Sequence, residues 1–302
     1  MHIGLIGCGR WGQLILQNLT DLSVTVTVCD SNPEQCSRAK LLGVAAATSL
    51  LSELRNVDGL IVATPASTHR TVLEQIAPFG KPIFVEKPLT TSYQDALALG
   101  SLALPPTFLM HIWRYHPGID LLRAIGQSGA LGEVLLLKTT RTNWTSPRTD
   151  TDTLRTLTPH DLSIILHILG QVPAPRAALA ERHNGQIRSL TVLLGTTPGC
   201  IIDVSTRYAD KRREVRLHGT GGVAVLTDEL TNAVDIWYGT DQTPVGERQH
   251  ERRFFDPTPP LRLELLAFIN YLRGGPQPIS LLEEGIELMR LMDQIKHLIE
   301  CV

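Results

Sequence analysis

The sequence predicts an α/β protein of two domains, in which a parallel sheet with helices on both faces precedes an α+β domain with a mainly antiparallel open sheet. Two observations lead to this prediction. Over residues 1–111, short apolar runs alternate with stretches of helical periodicity, as in a parallel sheet connected by helices. Beyond residue 170, strand-like runs follow one another with turn residues between them, which is typical of antiparallel pairing. We therefore predict domains at residues 1–111 and 112–302.

The first strand, residues 2–6, runs directly into a glycine-rich turn and then into a helix. Gly7 would allow a sharp turn, Gly9 would let the backbone approach a pyrophosphate, and Gly12 would let the helix pack closely on the strand. The amino terminus of the helix would then offer free N–H groups to the phosphates. We predict a dinucleotide site; the alternative is a glycine turn without a ligand. The candidate contacts here are Gly7, Gly9, Arg10, Trp11 and Gly12.

The second strand, residues 24–29, ends on Asp30, eighteen residues after Gly12. An acidic residue at this distance can accept hydrogen bonds from both hydroxyls of an adenosine ribose, and it would repel the 2′-phosphate of NADP. No arginine follows it directly, and Arg38 lies on the next predicted helix. The sequence therefore predicts NAD as the cofactor in preference to NADP.

Composition excludes several other classes of function. The formal net charge of -2 gives no reason to expect nucleic acid or an anionic membrane as a partner. No apolar run approaches the ~18 residues that a membrane span needs, and the first strand is too short for a secretion signal. The five cysteines show no metal-ligand spacing, so neither disulfides nor a metal is indicated. We expect a soluble cytoplasmic protein that binds a small molecule.

The predicted parallel sheet continues with a helix at residues 33–41 and a strand at 59–63. Polar residues after the carboxyl end of such a strand lie where open parallel sheets bind their ligands. The next strand, residues 83–85, ends in Glu86-Lys87-Pro88, and a helix and a strand at 92–102 and 107–111 complete the domain. Further candidate cofactor contacts are Thr64, Pro65, His69, Glu86 and Lys87.

The second domain begins with a helix at residues 121–127 and a strand at 134–142. A polar stretch at 143–156 is a candidate substrate lid, although surface loops are polar in any case. The helix at 160–169 has Pro159 at its start and Gly170 at its end. Strands are predicted at 177–182, 189–194, 200–208, 214–218, 223–227 and 233–237, and helices at 261–272 and 281–299 that pack back on the first domain.

Four motifs in this order resemble the glucose-fructose oxidoreductase, inositol dehydrogenase and rhizopine catabolism (Gfo/Idh/MocA) family. They are GCGRWG at residues 7–12, ATP followed by His69, EKP at 86–88, and His160-Asp161 opening a helix. The resemblance implies an N-terminal Rossmann domain and a C-terminal α+β domain whose sheet forms dimers or tetramers. It also implies oxidation or reduction of a carbinol carbon in a sugar, cyclitol or related compound with NAD or NADP.

By this resemblance Lys87 lies near the nicotinamide and the substrate hydroxyl. Removing a hydride from a carbinol also requires the hydroxyl proton to leave, and a partly desolvated lysine can hydrogen-bond that oxygen and exchange the proton. The alternative is a solvated lysine after a strand. His160 matches the family's catalytic histidine, against the alternative of a structural residue at a helix start. His167, two turns later, is expected to be a packed or interface histidine.

One position departs from the family. Many relatives carry an aspartate four residues before the histidine, where this chain has Thr156. A hydroxyl cannot supply the negative charge that orients a histidine. Asp161 would point about 100° away from His160 on a helix, and Asp152 in the loop is a possible substitute. The predicted substrate contacts are Trp144, Arg148 and Thr156.

Three functions follow from these residues. The first is a nicotinamide-dependent oxidoreductase acting on a hydroxyl or keto group of a sugar-like substrate, favoured by Lys87 and His160. The second, favoured by Thr156, is a catalytically degenerate cofactor-binding or regulatory protein. The third is a redox-neutral enzyme in which NAD is reduced and reoxidised within one turnover.

Overall fold

The computed structural model describes residues 1–144 and 152–300 and divides them into two compact units. One consists of residues 1–112 together with 259–289, and the other of residues 113–258 and those from Arg290 onward. The first unit is therefore built from two separate stretches of the chain. The predicted Rossmann fold with a second, mainly antiparallel sheet is confirmed.

The first unit contains a six-stranded parallel sheet in the order β3-β2-β1-β4-β5-β6. The short third strand was not predicted. It lies at the edge of the sheet and consists of small residues without an apolar alternation. The strands are β1 (His2–Ile6), β2 (Thr25–Cys29), β3 (Ala46–Thr48), β4 (Gly59–Val62), β5 (Ile83–Glu86) and β6 (Thr107–Met110).

Helices connect these strands, and their ends follow local capping chemistry. Asn32 accepts a hydrogen bond from the N–H of Glu34, and Pro33 occupies the first helical position, so the second helix begins where the sequence predicted. Ser92 caps the fourth helix in the same way. The helices of this unit are α1 (Arg10–Asp21), α2 (Pro33–Leu41), α3 (Ala66–Ile76) and α4 (Tyr93–Gly100), with 3-10 turns at Leu51–Leu54 and Ala77–Phe79.

A helix from the far end of the sequence completes the core of this unit. Phe268 of this helix stacks on Phe84 of β5, with 5.0 Å between ring centroids. Tyr271 packs edge-on against Phe108 of β6. Since these aromatic side chains are largely buried, the helix is part of the hydrophobic core rather than a surface addition. It is the eighth helix of the chain, Pro260–Leu272.

The second unit contains an eight-stranded sheet in the order β14-β13-β12-β11-β7-β10-β9-β8. Its neighbours are antiparallel except for β7 and β10. Side chains along β9 alternate between buried and exposed, as expected for a sheet with one covered face. The strands are β7 (Val134–Trp144), β8 (Pro175–His183), β9 (Gln186–Leu194), β10 (Gly199–Ser205), β11 (Arg207–Gly219), β12 (Gly222–Leu226), β13 (Ala233–Tyr238) and β14 (Gln249–Phe254).

The remaining helices are α5 (Pro117–Gln127), α6 (Thr153–Thr156), α7 (Thr158–Leu169), α8 (Pro260–Leu272) and α9 (Leu282–Glu300), with 3-10 turns at Ile112–Tyr115 and Val245–Glu247. Helices α5 and α7 pack against each other and against the second sheet. Pro159 lies in the first turn of α7, and Gly170, with φ of 75°, ends it. Within the described ranges, no helix is long and apolar enough to cross a membrane.

Candidate active site

The turn at residues 7–12, called the glycine turn below, requires two of its three glycines. Gly7 has φ of 90°, and a Cβ there would lie 2.9 Å from the carbonyl of Ala63. A Cβ on Gly12 would lie 2.2 Å from the carbonyl oxygen of Gly7. Gly9 differs, because nothing lies within 4 Å of the place where its Cβ would be. Gly7 and Gly12 are therefore needed for chain packing, and Gly9 leaves space beside the backbone.

Helix α1 begins at this open space without a side-chain cap. Gly9 is its N-cap, and its first turn carries no acidic residue. The first N–H groups of a helix carry partial positive charge and need acceptors. An uncapped helix start beside open space therefore fits a pyrophosphate, and NAD is a ligand that would supply one.

Asp30 follows β2 and lies beside the glycine turn. One carboxyl oxygen accepts a hydrogen bond from the N–H of Cys8 at 2.7 Å, and the other accepts one from the N–H of Asn32 at 2.8 Å. Each oxygen retains further acceptor capacity. Asp30 therefore fixes the glycine turn relative to the end of β2, and it remains able to bind ribose hydroxyls.

The segments after β4 and β5 are joined by a buried histidine. His69 is 1% exposed, and its Nδ1 lies 3.1 Å from the carbonyl oxygens of Pro88 and Leu89. Its Nε2 lies 2.9 Å from the carbonyl oxygen of Thr64. Burial lowers the pKa of His69, while these carbonyl contacts act in the opposite direction. The ring thus has an internal role in aligning two loops, and its predicted contact with the cofactor remains a prediction. Pro65 is the exposed N-cap of α3.

Glu86 connects the glycine turn to the EKP segment, residues 86–88. The indole N–H of Trp11 donates to one of its carboxyl oxygens, and the backbone N–H of Lys87 donates to the other at 3.1 Å. Glu86 is 8% exposed. Burial raises its pKa to about 7, against the positive charge of Lys87 and the two hydrogen bonds, which lower it. Both oxygens of Glu86 thus bind the protein, while Lys87 at the strand end is half-buried.

In the second unit, His160 lies in the first turn of α7 and is half-buried. The next residue, Asp161, is 1% exposed, and one of its oxygens accepts a hydrogen bond from Nε of Arg141 at 2.9 Å. The guanidinium of Arg141 lies over the ring of Trp113, 4.2 Å from the centroid. The carboxylate of Asp161 is therefore committed to a buried ion pair that anchors the start of α7 to β7.

Thr156 is the last residue of the short helix α6, and Asp152 is its N-cap. The carboxylate of Asp152 caps this helix by accepting a hydrogen bond from the N–H of Arg155, whose side chain also pairs with it at 3.4 Å. The hydroxyl of Thr156 donates to the carbonyl oxygen of Asp152 at 2.9 Å. Asp152 thus has a local structural role as the N-cap of α6.

The other predicted substrate residues are only partly described. Trp144 ends β7 with 74% of its surface exposed. Arg148 lies outside the described residues. His167 is packed, as predicted: it is 6% exposed, and its Nε2 lies 3.2 Å from a carboxyl oxygen of Asp120. In the described ranges, no three His, Cys, Asp or Glu side chains could together hold a metal ion.

Two buried charged residues near these sites were not predicted. Arg141 lies in a strand that the sequence correctly indicates, but its partner Asp161 is twenty residues away, and no local pattern links them. Glu264 of α8 is fully buried, and burial together with the charge of Glu86 raises its pKa well above the usual value. A signal for Glu264 existed in the sequence, because it shares a helical face with Leu261, Leu265 and Phe268.

Comparisons with known proteins agree with this arrangement. Residues 1–104 match the model of a family described as an oxidoreductase family with an NAD-binding Rossmann fold. A UDP-N-acetylglucosamine 3-dehydrogenase from Acidithiobacillus ferrooxidans is 33% identical over 248 residues, which cover 79% of this chain and 77% of that protein. Its solved structure, 25% identical in the structural alignment, has a TM-score of 0.86 and covers 100% of this chain and 98% of that one.

One other relative and one other solved structure extend this comparison. An inositol 2-dehydrogenase from Rhizobium meliloti is 26% identical over an alignment of 317 positions, which covers 97% of this chain and 95% of that protein. The structure of a levoglucosan dehydrogenase in complex with NADH and L-sorbose has a TM-score of 0.85 at 17% identity, covering 100% of this chain and 97% of that one. At that identity the last comparison shows the fold alone.

Proposed function

The chain belongs to the Gfo/Idh/MocA family of NAD-binding dehydrogenases, and from this premise we propose that it transfers hydride between NAD and a hydroxyl-bearing carbon of a sugar, a cyclitol or a sugar derivative. The observation that carries the proposal is the carboxyl edge of the parallel sheet. Four neighbouring strands, β2-β1-β4-β5, bring Asp30, the glycine turn, Thr64 and Lys87 to this edge. A dinucleotide that lies across the strand ends would meet first the group for its ribose, then the turn for its phosphates, and then the proposed catalytic lysine.

The glycine turn supplies the phosphate site. Its uncapped helix start and the open space beside Gly9 fit a pyrophosphate, and Asp30 is placed to accept from ribose hydroxyls. Bound NAD supplies the hydride acceptor. The preference for NAD over NADP rests on the carboxylate of Asp30, which would repel a 2′-phosphate.

Lys87 is the proposed acid–base group. When a carbinol is oxidised, the C–H hydride leaves the carbon, the O–H proton leaves the oxygen, and a C=O double bond forms. An amine within hydrogen-bonding distance of that oxygen can stabilise the alkoxide and take up the proton. Lys87 follows β5 directly, and its backbone is fixed by Glu86 and by the carbonyl contacts of His69. A fixed backbone limits the positions that the ammonium group can reach.

His160 is the proposed second group in proton transfer. Asp152 caps α6 and Asp161 pairs with Arg141, so both carboxylates already have structural partners. We therefore assign the principal acid–base role to Lys87 and an assisting role to His160. Trp144, Arg148 and Thr156 are proposed to contact the substrate.

A substrate screen tests this proposal. Sugars, cyclitols and sugar nucleotides are incubated with NAD, and absorbance at the reduced nicotinamide band is followed. UDP-N-acetylglucosamine and myo-inositol are tried first, because two relatives are named for such substrates. Oxidation of at least one compound is expected. Product formation without net absorbance change would instead indicate redox-neutral turnover, and binding of NADH without any turnover would indicate a regulatory protein.

A homo-oligomer through the second sheet is also proposed. Exposed apolar side chains, among them Leu179, Leu193 and Trp237, lie on the face of this sheet that is turned away from the buried side. Apolar groups spread over one face favour association with a second copy. Light scattering should give a dimer or tetramer for the wild type and a smaller species for Leu193→Asp. A wild-type monomer at micromolar concentration would contradict this.

A further inference from the structure

Glu264 is an unusual residue for the core-facing side of a helix. It is fully buried, and neither of its carboxyl oxygens has a hydrogen-bond partner among the described residues. An isolated carboxylate in such surroundings is strongly disfavoured, so the neutral acid is the stable form. The pKa of Glu264 is raised well above its usual value by burial first and by the charge of Glu86 second.

The direction of α8 places Glu264 near the carboxyl edge of the sheet. The side chain of Leu272, at the end of the helix, lies 2.7 Å from the ideal Cβ position of Gly59, at the start of β4. Phe268 stacks on Phe84, which is further along the strands. The helix therefore runs antiparallel to the strands, and its amino-terminal half approaches their carboxyl ends.

One more turn along α8 brings Glu264 to the level of Glu86. Phe84 and Glu86 are two residues apart in β5 and point to the same side of the sheet, while Glu264 and Phe268 are four residues apart on one helical face. The stacked rings thus place the two carboxyl groups on facing surfaces of the same unit. Glu86 and Glu264 are called the carboxyl pair below.

Within this carboxyl pair, Glu86 is the member that hydrogen-bonds other groups among the described residues. Its two oxygens accept from the indole of Trp11, in the glycine turn, and from the N–H of Lys87. Hydrogen bonds to a carboxylate are stronger than those to a neutral carboxyl group. The protonation state of Glu86 therefore determines how firmly the glycine turn is tied to the segment that carries the proposed acid–base lysine.

We propose that Glu86 is a positioning residue that, when ionised, fixes the glycine turn and Lys87 for cofactor binding, while Glu264 beneath it stays neutral and leaves the carboxyl pair with a single negative charge. This inference rests on the proposed function, because it concerns the same cofactor site. Lys87 from its own segment and Trp11 from α1 act on Glu86, and the charge of Glu86 in turn acts on Glu264 of α8. Burial raises the pKa of Glu86 to about 7. NADH should therefore bind more tightly as the pH rises through neutrality.

The first experiment measures NADH affinity from pH 5.5 to 8.5 by fluorescence titration. The wild type should bind about 3- to 10-fold more tightly at the upper end, the difference between charged and neutral hydrogen bonds at two donors. Glu86→Gln should bind weakly without this dependence. Trp11→Phe, which keeps an aromatic ring but removes the N–H, should bind several-fold more weakly at pH 8, with Trp237→Phe as the matched control. A pH dependence that survives Glu86→Gln would overturn the proposal.

The second experiment needs neither substrate nor cofactor. The fluorescence of the free protein is titrated with pH, and the Trp11→Phe signal is subtracted to isolate Trp11. The Trp11 fluorescence is expected to show a transition near pH 7 that is absent from Glu86→Gln. In Glu264→Gln the midpoint of this transition should stay within about half a pH unit of the wild-type value, since Glu264 is already neutral. A wild-type transition with its midpoint near pH 4.5 would overturn the role of Glu86. A large shift of the midpoint in Glu264→Gln would show that Glu264 is not neutral. Neither the NADH titration nor the fluorescence titration needs a substrate, so both test this inference even if the substrate screen finds no turnover.

Discussion

Lys87 is the residue on which the proposed chemistry depends most directly. Its methionine variant keeps a stem of similar length but cannot hydrogen-bond a substrate oxygen or exchange a proton. We expect Lys87→Met to retain NADH affinity and to lower turnover by roughly 10²- to 10⁴-fold, the usual contribution of a positioned acid–base group. Lys81→Met is the matched control, because Lys81 precedes the same strand at the opposite edge of the sheet. Turnover of Lys87→Met within about threefold of the wild type would contradict the assignment.

Asp30 is the residue that should decide cofactor choice. Both of its oxygens hydrogen-bond backbone N–H groups at the glycine turn and α2, so the carboxylate is held in place before the cofactor arrives. We expect the wild type to prefer NADH, and Asp30→Ala to weaken NADH binding by about 10- to 100-fold while changing NADPH binding less. Calorimetric titration with both cofactors measures this. Asn32→Ala, which removes only the cap of α2, should retain the preference, and equal wild-type affinities would contradict the prediction.

At this scale, the sequence predicts residues whose roles depend on local chemistry. Gly7 and Gly12 are identifiable because a turn between a strand and a helix needs them, and the structure shows the close contacts that require glycine. The pairing of Arg141 with Asp161 could not be predicted, since it depends on how a strand and a helix meet. Similarly, nothing local in the EKP segment indicates that Glu86 binds the indole of Trp11.

Helix α8 is the element with the clearest energetic consequence. The folded-state pKa of Glu264 lies above its unfolded value, so the folded protein keeps this proton where the unfolded chain loses it. Stability contributed by the neutral acid is therefore complete below pH ~4.5 and falls as the pH rises towards the folded-state pKa. Replacing the carboxyl group by an apolar one removes this loss.

We therefore expect Glu264→Met to unfold at a higher temperature than the wild type at pH 8, with a gain of about 1 to 3 kcal/mol that shrinks towards pH 5. Thermal unfolding followed by circular dichroism between these values measures the difference. Glu74→Met changes an exposed carboxylate and should show no pH-dependent gain. A gain for Glu264→Met that grew towards acid pH would show that Glu264 is ionised in the folded state.

The same scale shows why some elements were predicted and others were missed. The central strands of the first sheet are apolar because both faces are buried, and α2 has clear end signals, so these elements follow from the sequence. The missed strand β14 (Gln249–Phe254) lies at the edge of its sheet, where charged residues replace an apolar alternation. The sequence predicts strands at 200–208 and 214–218, but the structure changes strand at Thr206. The exposed, mostly charged residues 207–212 belong to the start of β11 and not to the end of β10.

At the scale of the whole molecule, the first unit depends on a distant part of the chain. Phe84 and Phe108 pack against Phe268 and Tyr271, which follow more than 150 residues later. Without α8, one face of the parallel sheet would expose these apolar side chains to water. Burial of an aromatic side chain contributes about 1.5 to 3 kcal/mol, a large fraction of the stability of a domain this size.

We therefore expect a fragment of residues 1–112 to aggregate or to lack cooperative unfolding. The same fragment joined to residues 259–289 by a flexible linker should fold and bind NADH, because it contains the complete first core and the whole glycine turn. Circular dichroism, thermal unfolding and fluorescence titration with NADH compare the two. The joined fragment with Phe268→Asp serves as the control, since it has the same chain length but lacks the stacking of Phe268 on Phe84. If residues 1–112 alone unfold cooperatively and bind NADH as tightly as the joined fragment, α8 is an accessory to this unit, and a neutral Glu264 is not needed for Glu86 to hold the glycine turn.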